Sequence, residues 1–131
     1  MSDEYPPVRV TALLHAGLLV SDLARAKTFY ESVLGLRPYP HRPALPYPGE
    51  WYDLGDSQQL HLMQLPDPDA GSVRPGHGGR DRHIALAVRD VAALKSRLDA
   101  AGIPYTASRS GRPALFCRDP DMNTLEFVEV P

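Results

Sequence analysis

The sequence predicts an α+β fold built from two copies of a βαβββ module. Three observations predict it: an internal repeat, strand-like stretches of alternating side-chain character, and one capped amphipathic helix in each copy. The repeat aligns residues 15–36 with residues 83–103 and places His15 on His83. One match of this length can arise by chance, so the assignment of two modules depends on a second match.

The second match lies after each helix. Residues 53–66 align with residues 118–131, and His61 then falls on Glu126. Aligned elements in the same order favour a chain of two modules. We assign module 1 to about 9–66, module 2 to about 82–130 and a linker to about 67–81.

Module 1 is predicted to start with a strand at His15–Val20, and residues 9–14 are a candidate extension of that strand. Asp22 can cap the helix that follows, and Gly35 stands where a helix-ending glycine belongs. Short strands are predicted at about 50–54 and 59–65. Five prolines between residues 37 and 49 leave little evidence for the remaining strand of the module.

Module 2 repeats this pattern. A strand is predicted at His83–Val88, Asp90 can cap the next helix, and Gly102 ends it. The apolar residues of that helix recur at helical spacing, which predicts one buried face. Short strands then follow at about 104–107, 113–117 and 124–130.

Composition limits the class of protein. The 131 residues suit one folded domain, assigned to residues 8–131 with a flexible tail at residues 1–7. A net charge of −2 lacks the basic excess of proteins that bind nucleic acid or anionic membranes. No apolar stretch is long enough to span a membrane, and the single cysteine excludes an intrachain disulfide. We expect a cytoplasmic protein with a small-molecule substrate and neither nucleic acid nor membrane as a partner.

The repeat aligns metal-ligand residue types with each other, His15 with His83 and His61 with Glu126. Imidazole and carboxylate together suit a divalent transition metal such as Zn, Ni, Fe, Mn or Co. Strand parity places each of the first pair among small residues, and places His61 and Glu126 within otherwise apolar strands. A buried carboxylate needs a partner, which a metal would supply. We therefore predict a metal site formed by these four residues.

The motifs around these residues resemble the vicinal oxygen chelate superfamily, which includes glyoxalase I, extradiol dioxygenases, methylmalonyl-CoA epimerase and bleomycin-resistance proteins. The resemblance covers residues 12–130. It is carried by His15-x-x-x-x-Val20-x-Asp22-Leu23, Phe29-Tyr30, Val33-Leu34-Gly35-Leu36, His83-Ile-Ala-Leu-Ala-Val88 and Asp119-Pro120-Asp121-x-Asn123-x-Leu125-Glu126. It implies two modules whose sheets form a cupped, barrel-like surface around a metal. It also implies a homodimer, with each site formed within one chain or across two.

Position by position, the resemblance implies that His15, His83 and Glu126 are metal ligands. His61 stands at the fourth ligand position, where bacterial glyoxalase I has Glu and the epimerase has Gln. His61 would then either complete a four-ligand set or shuttle protons beside a three-ligand set.

The chemistry that the resemblance implies is chelation of two neighbouring oxygens of a small carbonyl substrate by the metal. In the leading hypothesis, a glyoxalase-like lyase or isomerase, Glu126 removes the adjacent proton and His61 is the second candidate base. Leu19 stands where glyoxalase I has an arginine that binds glutathione.

Two alternatives stay open. An extradiol dioxygenase would use the same two-histidine, one-carboxylate composition on iron, but Phe116 lies in the region where such enzymes have a tyrosine. A drug-sequestering protein of the bleomycin-resistance type is the non-enzymatic alternative, and Trp51 with nearby tyrosines would line its groove.

Arginines are candidates for binding an acidic group of the substrate, because a guanidinium matches the geometry of a carboxylate or phosphate. Arg74 lies in the linker and Arg112 precedes the last strands. Together with Trp51, they are the candidate substrate-binding residues.

Overall fold

The computed structural model describes residues 5–131, and its elements follow the predicted repeat. Module 1 contains strand β1 (His15–Val20), helix α1 (Leu23–Lys27) with a π-helical continuation (Thr28–Val33), strand β2 (Gly49–Leu54) and strand β3 (Gln58–Gln64). A 3₁₀ turn (Gly78–Arg80) lies in the linker. Module 2 contains strand β4 (His83–Val88), helix α2 (Val91–Ala100) and strands β5 (Tyr105–Ala107), β6 (Ala114–Arg118) and β7 (Thr124–Glu129).

Each module forms one mixed sheet, and the predicted α+β class is confirmed. The strand order is β1-β3-β2 in the first sheet and β4-β7-β6-β5 in the second. In both sheets the first strand runs parallel to the last strand of its module, and the other neighbours are antiparallel. Consequently β1 and β4, the strands that begin with His15 and His83, are both edge strands.

The first sheet is one strand smaller than the second. Where the counterpart of β5 would lie, Pro38 forms a single bridge with Tyr52 of β2. The many prolines that follow Pro38 cannot donate the backbone hydrogen bonds of a ladder, which explains why the pairing stops there.

The expected extension of β1 over residues 9–14 is wrong. That stretch is irregular, and Leu13 and Leu14 are 61% and 68% exposed. The strand does not extend further because its partner strand is short: His15 pairs with Gln59, and β3 begins at Gln58. Residues before His15 therefore have almost no strand to pair with.

The helix ends confirm the predicted caps. A carboxylate oxygen of Asp22 accepts from the Arg25 amide at 3.2 Å, and one of Asp90 accepts from the Ala93 amide at 3.0 Å. Gly35 and Gly102 follow the helical segments with φ of +76° and +69°, a conformation that glycine adopts without steric cost.

The two modules share one apolar core. Across the junction, the Tyr30 hydroxyl donates to a carboxylate oxygen of Asp119 at 2.7 Å, and Arg97 donates to the Val33 carbonyl at 2.8 Å. The core includes side chains from both sheets and from α2, among them Leu60, Leu62, Leu98, Leu115, Leu125 and Phe127. These contacts between the modules therefore fix the position of β1, which carries His15, relative to β4, which carries His83.

No helix within residues 5–131 has the length and apolar character required to cross a membrane.

Candidate metal and substrate site

The strand faces follow the predicted parity. His15 and Gly17 are exposed on one face of β1, whereas Val20 on the other face is 1% exposed. In β4, His83 and Ala85 are likewise on the exposed face. Each histidine thus lies on an open surface of small residues, which leaves room for a ligand beside it.

In module 1, three rings form a continuous stack. The His15 and His61 rings lie 4.1 Å apart between centroids with planes inclined by 14°. The indole of Trp51 covers the other face of His61, at 4.0 Å and 1°. Trp51 is the register partner of His61 on the adjacent strand, and His61 is itself only 8% exposed.

A side-chain relay orients His61. The Gln59 amide nitrogen donates to Asp53 at 3.0 Å, so the Gln59 amide oxygen faces His61 Nε2 at 2.9 Å. An amide oxygen only accepts, hence Nε2 carries the proton and Nδ1 has a free lone pair. Burial, with smaller contributions from His15 and Arg42, lowers the pKa of His61 to about 4, so the ring is neutral at pH 7.

Stacking limits what His15 and His61 can bind together. The lone pairs of an imidazole lie in the plane of its ring, and two nearly parallel planes about 4 Å apart do not meet at one ion. As placed, these two histidines therefore cannot both coordinate the same metal. Turning the His61 ring toward His15 would break the stack on Trp51.

In module 2, a backbone carbonyl orients His83. His83 Nδ1 lies 2.8 Å from the carbonyl oxygen of Asp81, so Nδ1 is the donor and the neutral ring has a free lone pair at Nε2. Asp81 is itself fixed by its side chain, which accepts from Arg74 and Arg118 at 2.8 and 2.7 Å. Burial opposes ionisation of Asp81, but these donors prevail and hold its pKa well below the usual value.

Glu126 faces that free lone pair. Its Oε1 lies 3.3 Å from His83 Nε2, and its side chain is only 7% exposed. Two acceptors at this distance need a cation between them, either a proton or a metal. Donor atoms bound to one ion through bonds of about 2.1 Å are roughly 3.0–3.4 Å apart, so the pair fits a divalent metal.

The four predicted ligand residues are thus brought together as two pairs, His15 with His61 and His83 with Glu126. Within residues 5–131 of one chain, no group of three or more His, Cys, Asp or Glu side chains is close enough to hold a metal. One chain, as described, supplies two half-sites.

The predicted substrate-binding residues have different surroundings. Arg112 Nη2 donates to Glu126 Oε2 at 3.3 Å and is 58% exposed, so it lies at the candidate site. Arg74 is only 14% exposed and forms an ion pair with Asp81 at 2.8 Å, which neutralises the charge needed to bind an anion. Trp51 covers His61, as described above, and remains partly exposed.

Phe116 and His77 complete the surroundings of the second pair. Phe116 is the register partner of Glu126. The Phe116 and His83 rings make an edge-to-face contact, with centroids 5.2 Å apart. His77 contacts the same phenyl ring at 5.2 Å and lies 3.2 Å from the Thr106 hydroxyl. His77 lies in the linker, and the turn that begins at Gly78 places it here.

Two concavities lie on this surface. One of about 310 Å³ lies between β1 and β4 and is lined by Gly17, His83, Arg74 and Arg82. A larger, apolar one of about 690 Å³ lies beside β5 and the π-helical segment, and none of the four ligand-type residues lines it. Of the two, only the smaller concavity is lined by one of the four ligand-type residues, His83.

Cys117 is not part of the site. It is buried, and burial, reinforced by Asp119, raises the pKa of its thiol to about 12. A thiol in such an environment is not a nucleophile.

Sequence reasoning missed the residues that orient the histidines. Gln59 lies two positions before His61 on the same strand face, and Asp53 is its register partner on β2. The available signal was therefore a polar residue two positions before the histidine, because such a residue lies on the same strand face. The Asp81 carbonyl left no signal, because any residue could supply it.

Comparisons with known proteins agree with this architecture. A family model described as Glyoxalase/Bleomycin resistance protein/Dioxygenase superfamily matches residues 12–127. The lactoylglutathione lyase of Haemophilus influenzae is 30% identical over 124 residues, covering 89% of this chain and 91% of that protein. The crystal structure of a lactoylglutathione lyase from Agrobacterium tumefaciens is similar with a TM-score of 0.65 and 27% identity, covering 92% of this chain and 95% of that one. A glyoxalase-family protein from Bacillus anthracis is similar in fold, with a TM-score of 0.73, 21% identity and coverage of 95% and 99% of the two chains.

Proposed function

Because the chain belongs to the glyoxalase/bleomycin resistance protein/dioxygenase superfamily, we propose that it is a metal-dependent, glyoxalase-like lyase or isomerase acting on a small carbonyl compound. The observation that carries the proposal is the pair of His83 Nε2 and Glu126 Oε1, 3.3 Å apart and nearly shielded from water on the carboxylate side. Both atoms are lone-pair donors of the types that divalent transition metals accept.

We assign His15, His83 and Glu126 as the metal ligands. This donor set of two imidazoles and one carboxylate suits Zn, Ni, Fe, Mn or Co. His61 was expected either as a fourth ligand or as a proton shuttle beside the metal, and its stacking against His15 favours the role of proton shuttle. A metal bound there would act as a Lewis acid on two neighbouring substrate oxygens.

His61 is the better of the two candidate bases. Its Nε2 proton is held by Gln59, so its Nδ1 has a free lone pair that can accept a proton. Both oxygens of Glu126, by contrast, already face His83 or Arg112. We therefore assign removal of the substrate proton to His61 Nδ1, with Glu126 as a ligand.

We further propose that two copies of the chain build each site. His15 lies in one half-site and His83 with Glu126 in the other, and both half-sites lie on edge or near-edge strands. A two-fold dimer would bring module 1 of one chain against module 2 of its partner, and would form two equal sites.

The alternatives have less support. Phe116, directly across from Glu126, offers no hydroxyl where the dioxygenase hypothesis needs a tyrosine. A sequestering protein would have no need for the relay of Asp53 and Gln59 that fixes the His61 tautomer. The half-buried Leu19 does not supply a cationic group for glutathione, so we propose a substrate smaller than a glutathione adduct.

The decisive experiment measures metal and reaction together. Purified protein, as isolated and after addition of Zn, Ni, Co, Mn or Fe(II), is assayed for bound metal by mass spectrometry. The loaded forms are then tested for deuterium exchange next to the carbonyl of methylglyoxal, of pyruvate and of acyl thioesters, against oxygen consumption with catechols. We expect metal-dependent exchange; absence of metal binding under all conditions would overturn the proposal.

A second experiment tests the shared site. The His15→Ala and Glu126→Gln chains are each expected to lose tight metal binding. If sites are shared, a mixture that has exchanged subunits regains about a quarter of the wild-type sites, because half of the dimers are mixed and each holds one intact site. Sites formed within one chain would show no recovery.

A further inference from the structure

Two side chains contact the Glu126 carboxylate, those of His83 and Arg112. Of these two, only Arg112 is cationic at every pH, and its side chain is open to water. The Arg112 side chain is 58% exposed, while the side chain of Glu126 is 7% exposed. The two are 14 positions apart, so the contact joins the loop after β5 to the middle of β7. An arginine with this placement can contact whatever lies against Glu126.

The loop holds Arg112 in position. Its Nε and its backbone amide both donate to the Ser110 hydroxyl, at 3.2 and 3.3 Å. Ser110 is in turn hydrogen-bonded to the Ser108 hydroxyl at 2.8 Å. A guanidinium has five N–H donors, and this arrangement together with Glu126 uses only two of them. The remaining N–H groups take no part in these contacts and can donate to a ligand.

Charge determines what that ligand is. Without a metal, the carboxylate of Glu126 balances the charge of Arg112. A divalent cation at Oε1 of Glu126 would leave Arg112 at Oε2, but the single carboxylate could not balance both positive charges, which lie a few ångströms apart. Like charges at this distance repel, and a bound anion between them relieves the repulsion.

We propose that Arg112 binds a carboxylate group of the substrate, so that the substrate class is a 2-oxo or 2-hydroxy acid rather than a neutral carbonyl compound. This inference rests on the proposed metal site. A carboxylate next to a carbonyl or hydroxyl presents two neighbouring oxygens to the metal, and its outer face is free for the planar fork of Arg112.

Metal and anion must then bind cooperatively. If bound metal strengthens the binding of the anion through Arg112, the anion strengthens the binding of the metal by the same factor. This coupling can be measured without any turnover, which separates it from the catalytic activity of the protein.

The experiment is a calorimetric titration of the metal-free full-length chain with Co²⁺, with and without saturating pyruvate, and with methyl pyruvate as the neutral counterpart. We expect pyruvate to raise the Co²⁺ affinity about fivefold or more, and methyl pyruvate to have little effect. In Arg112→Ala the pyruvate enhancement should disappear, while Arg112→Lys should retain part of it. Arg109→Ala removes an exposed arginine of the same loop, so it matches the change in net charge and should behave like the wild type.

The outcomes separate the two proposals. Co²⁺ binding with equal pyruvate enhancement in the wild type, Arg112→Ala and Arg109→Ala would overturn the role of Arg112 and leave the metal site intact. An equal effect of pyruvate and its methyl ester would overturn it as well. Absence of Co²⁺ binding in the wild type would overturn the proposed function and this inference with it. Far-UV circular dichroism of each variant confirms that the compared chains are folded.

Discussion

The imidazole of His61 lies face to face with that of His15, with ring centroids 4.1 Å apart and planes inclined by 14°. Two ligands of one metal direct their lone pairs at a common point, which parallel rings cannot do. This relationship separates His61 from the residues that we assign as ligands. It also gives His61 a fixed position next to a ligand, where a base would be useful.

The first prediction concerns metal affinity. Glu126→Gln and His83→Ala each remove a donor of the 3.3 Å pair, and each should weaken Co²⁺ binding by about 100-fold or more. His61→Phe keeps a ring between His15 and Trp51 and should change the affinity by less than about tenfold. The same variant should lose roughly 10²–10⁴-fold in proton exchange if His61 is the base. Equal losses of Co²⁺ affinity in all three variants would instead show that His61 is a metal ligand.

The second prediction concerns pH. Burial lowers the pKa of His61 from 6.5 to about 4, so the folded state resists a proton that the unfolded state accepts. Because the unfolded state binds more protons in this window, the free energy of unfolding falls as the pH falls from about 6.5 to 4. The contribution reaches at most roughly 3 kcal/mol.

Urea unfolding of the metal-free wild type and of His61→Phe across this window checks the second prediction. The stability of the wild type relative to that of His61→Phe should be constant near pH 7 and should fall toward pH 4. Parallel curves would show that His61 titrates normally in the folded protein.

The third prediction concerns the junction between the modules. Tyr30 is fully buried and donates to Asp119, whose carboxyl is also nearly inaccessible to water. Tyr30→Phe leaves that carboxyl short of one donor and should lower the free energy of unfolding by about 1–3 kcal/mol. Tyr5→Phe, at a residue that is 80% exposed, is the matched control and should have almost no effect. Losses of the same size in both variants would contradict a role for the buried hydrogen bond.

The fourth prediction concerns the turn that covers the second half-site. A Cβ at Gly78 would lie 2.8 Å from a methyl of Thr124 and 2.9 Å from Cβ of Phe116, neither of which can move freely. Gly78→Ala should therefore cost about 1–3 kcal/mol of stability and displace His77 from Phe116. Gly76→Ala, two positions earlier, meets no atom within 4 Å and should be nearly neutral. Thermal unfolding of the two variants side by side measures the difference, and a harmless Gly78→Ala would mean that the turn is loosely packed.

Much of this arrangement could be predicted from the sequence because it depends on periodicity. The two-residue period of a strand assigned His15 and Glu126 to the correct faces, and the repeat assigned equivalent strands to both. Asp22 and Asp90 marked the helix starts because a cap needs a short acceptor at one position. These features depend only on neighbours along the chain.

The remainder depends on contacts between distant residues. Whether the His61 ring stacks on His15 or turns away is decided by Trp51 on another strand, which no local pattern of β3 encodes. Arg112 reaches Glu126 because a loop folds back over the sheet. The missing strand of module 1 follows from the prolines, yet their number alone did not say whether one bridge would remain at Pro38.

The indole of Trp51 lies flat on His61 at 4.0 Å, and the chain has no other tryptophan. The emission of this single fluorophore therefore comes from one place, next to the proposed base. Protonation of His61 would put an electron-accepting imidazolium against the indole, and a paramagnetic ion nearby would shorten its excited-state lifetime. The protein thus has a built-in optical probe, with which metal loading and acid titration can be followed in unlabelled protein at micromolar concentration.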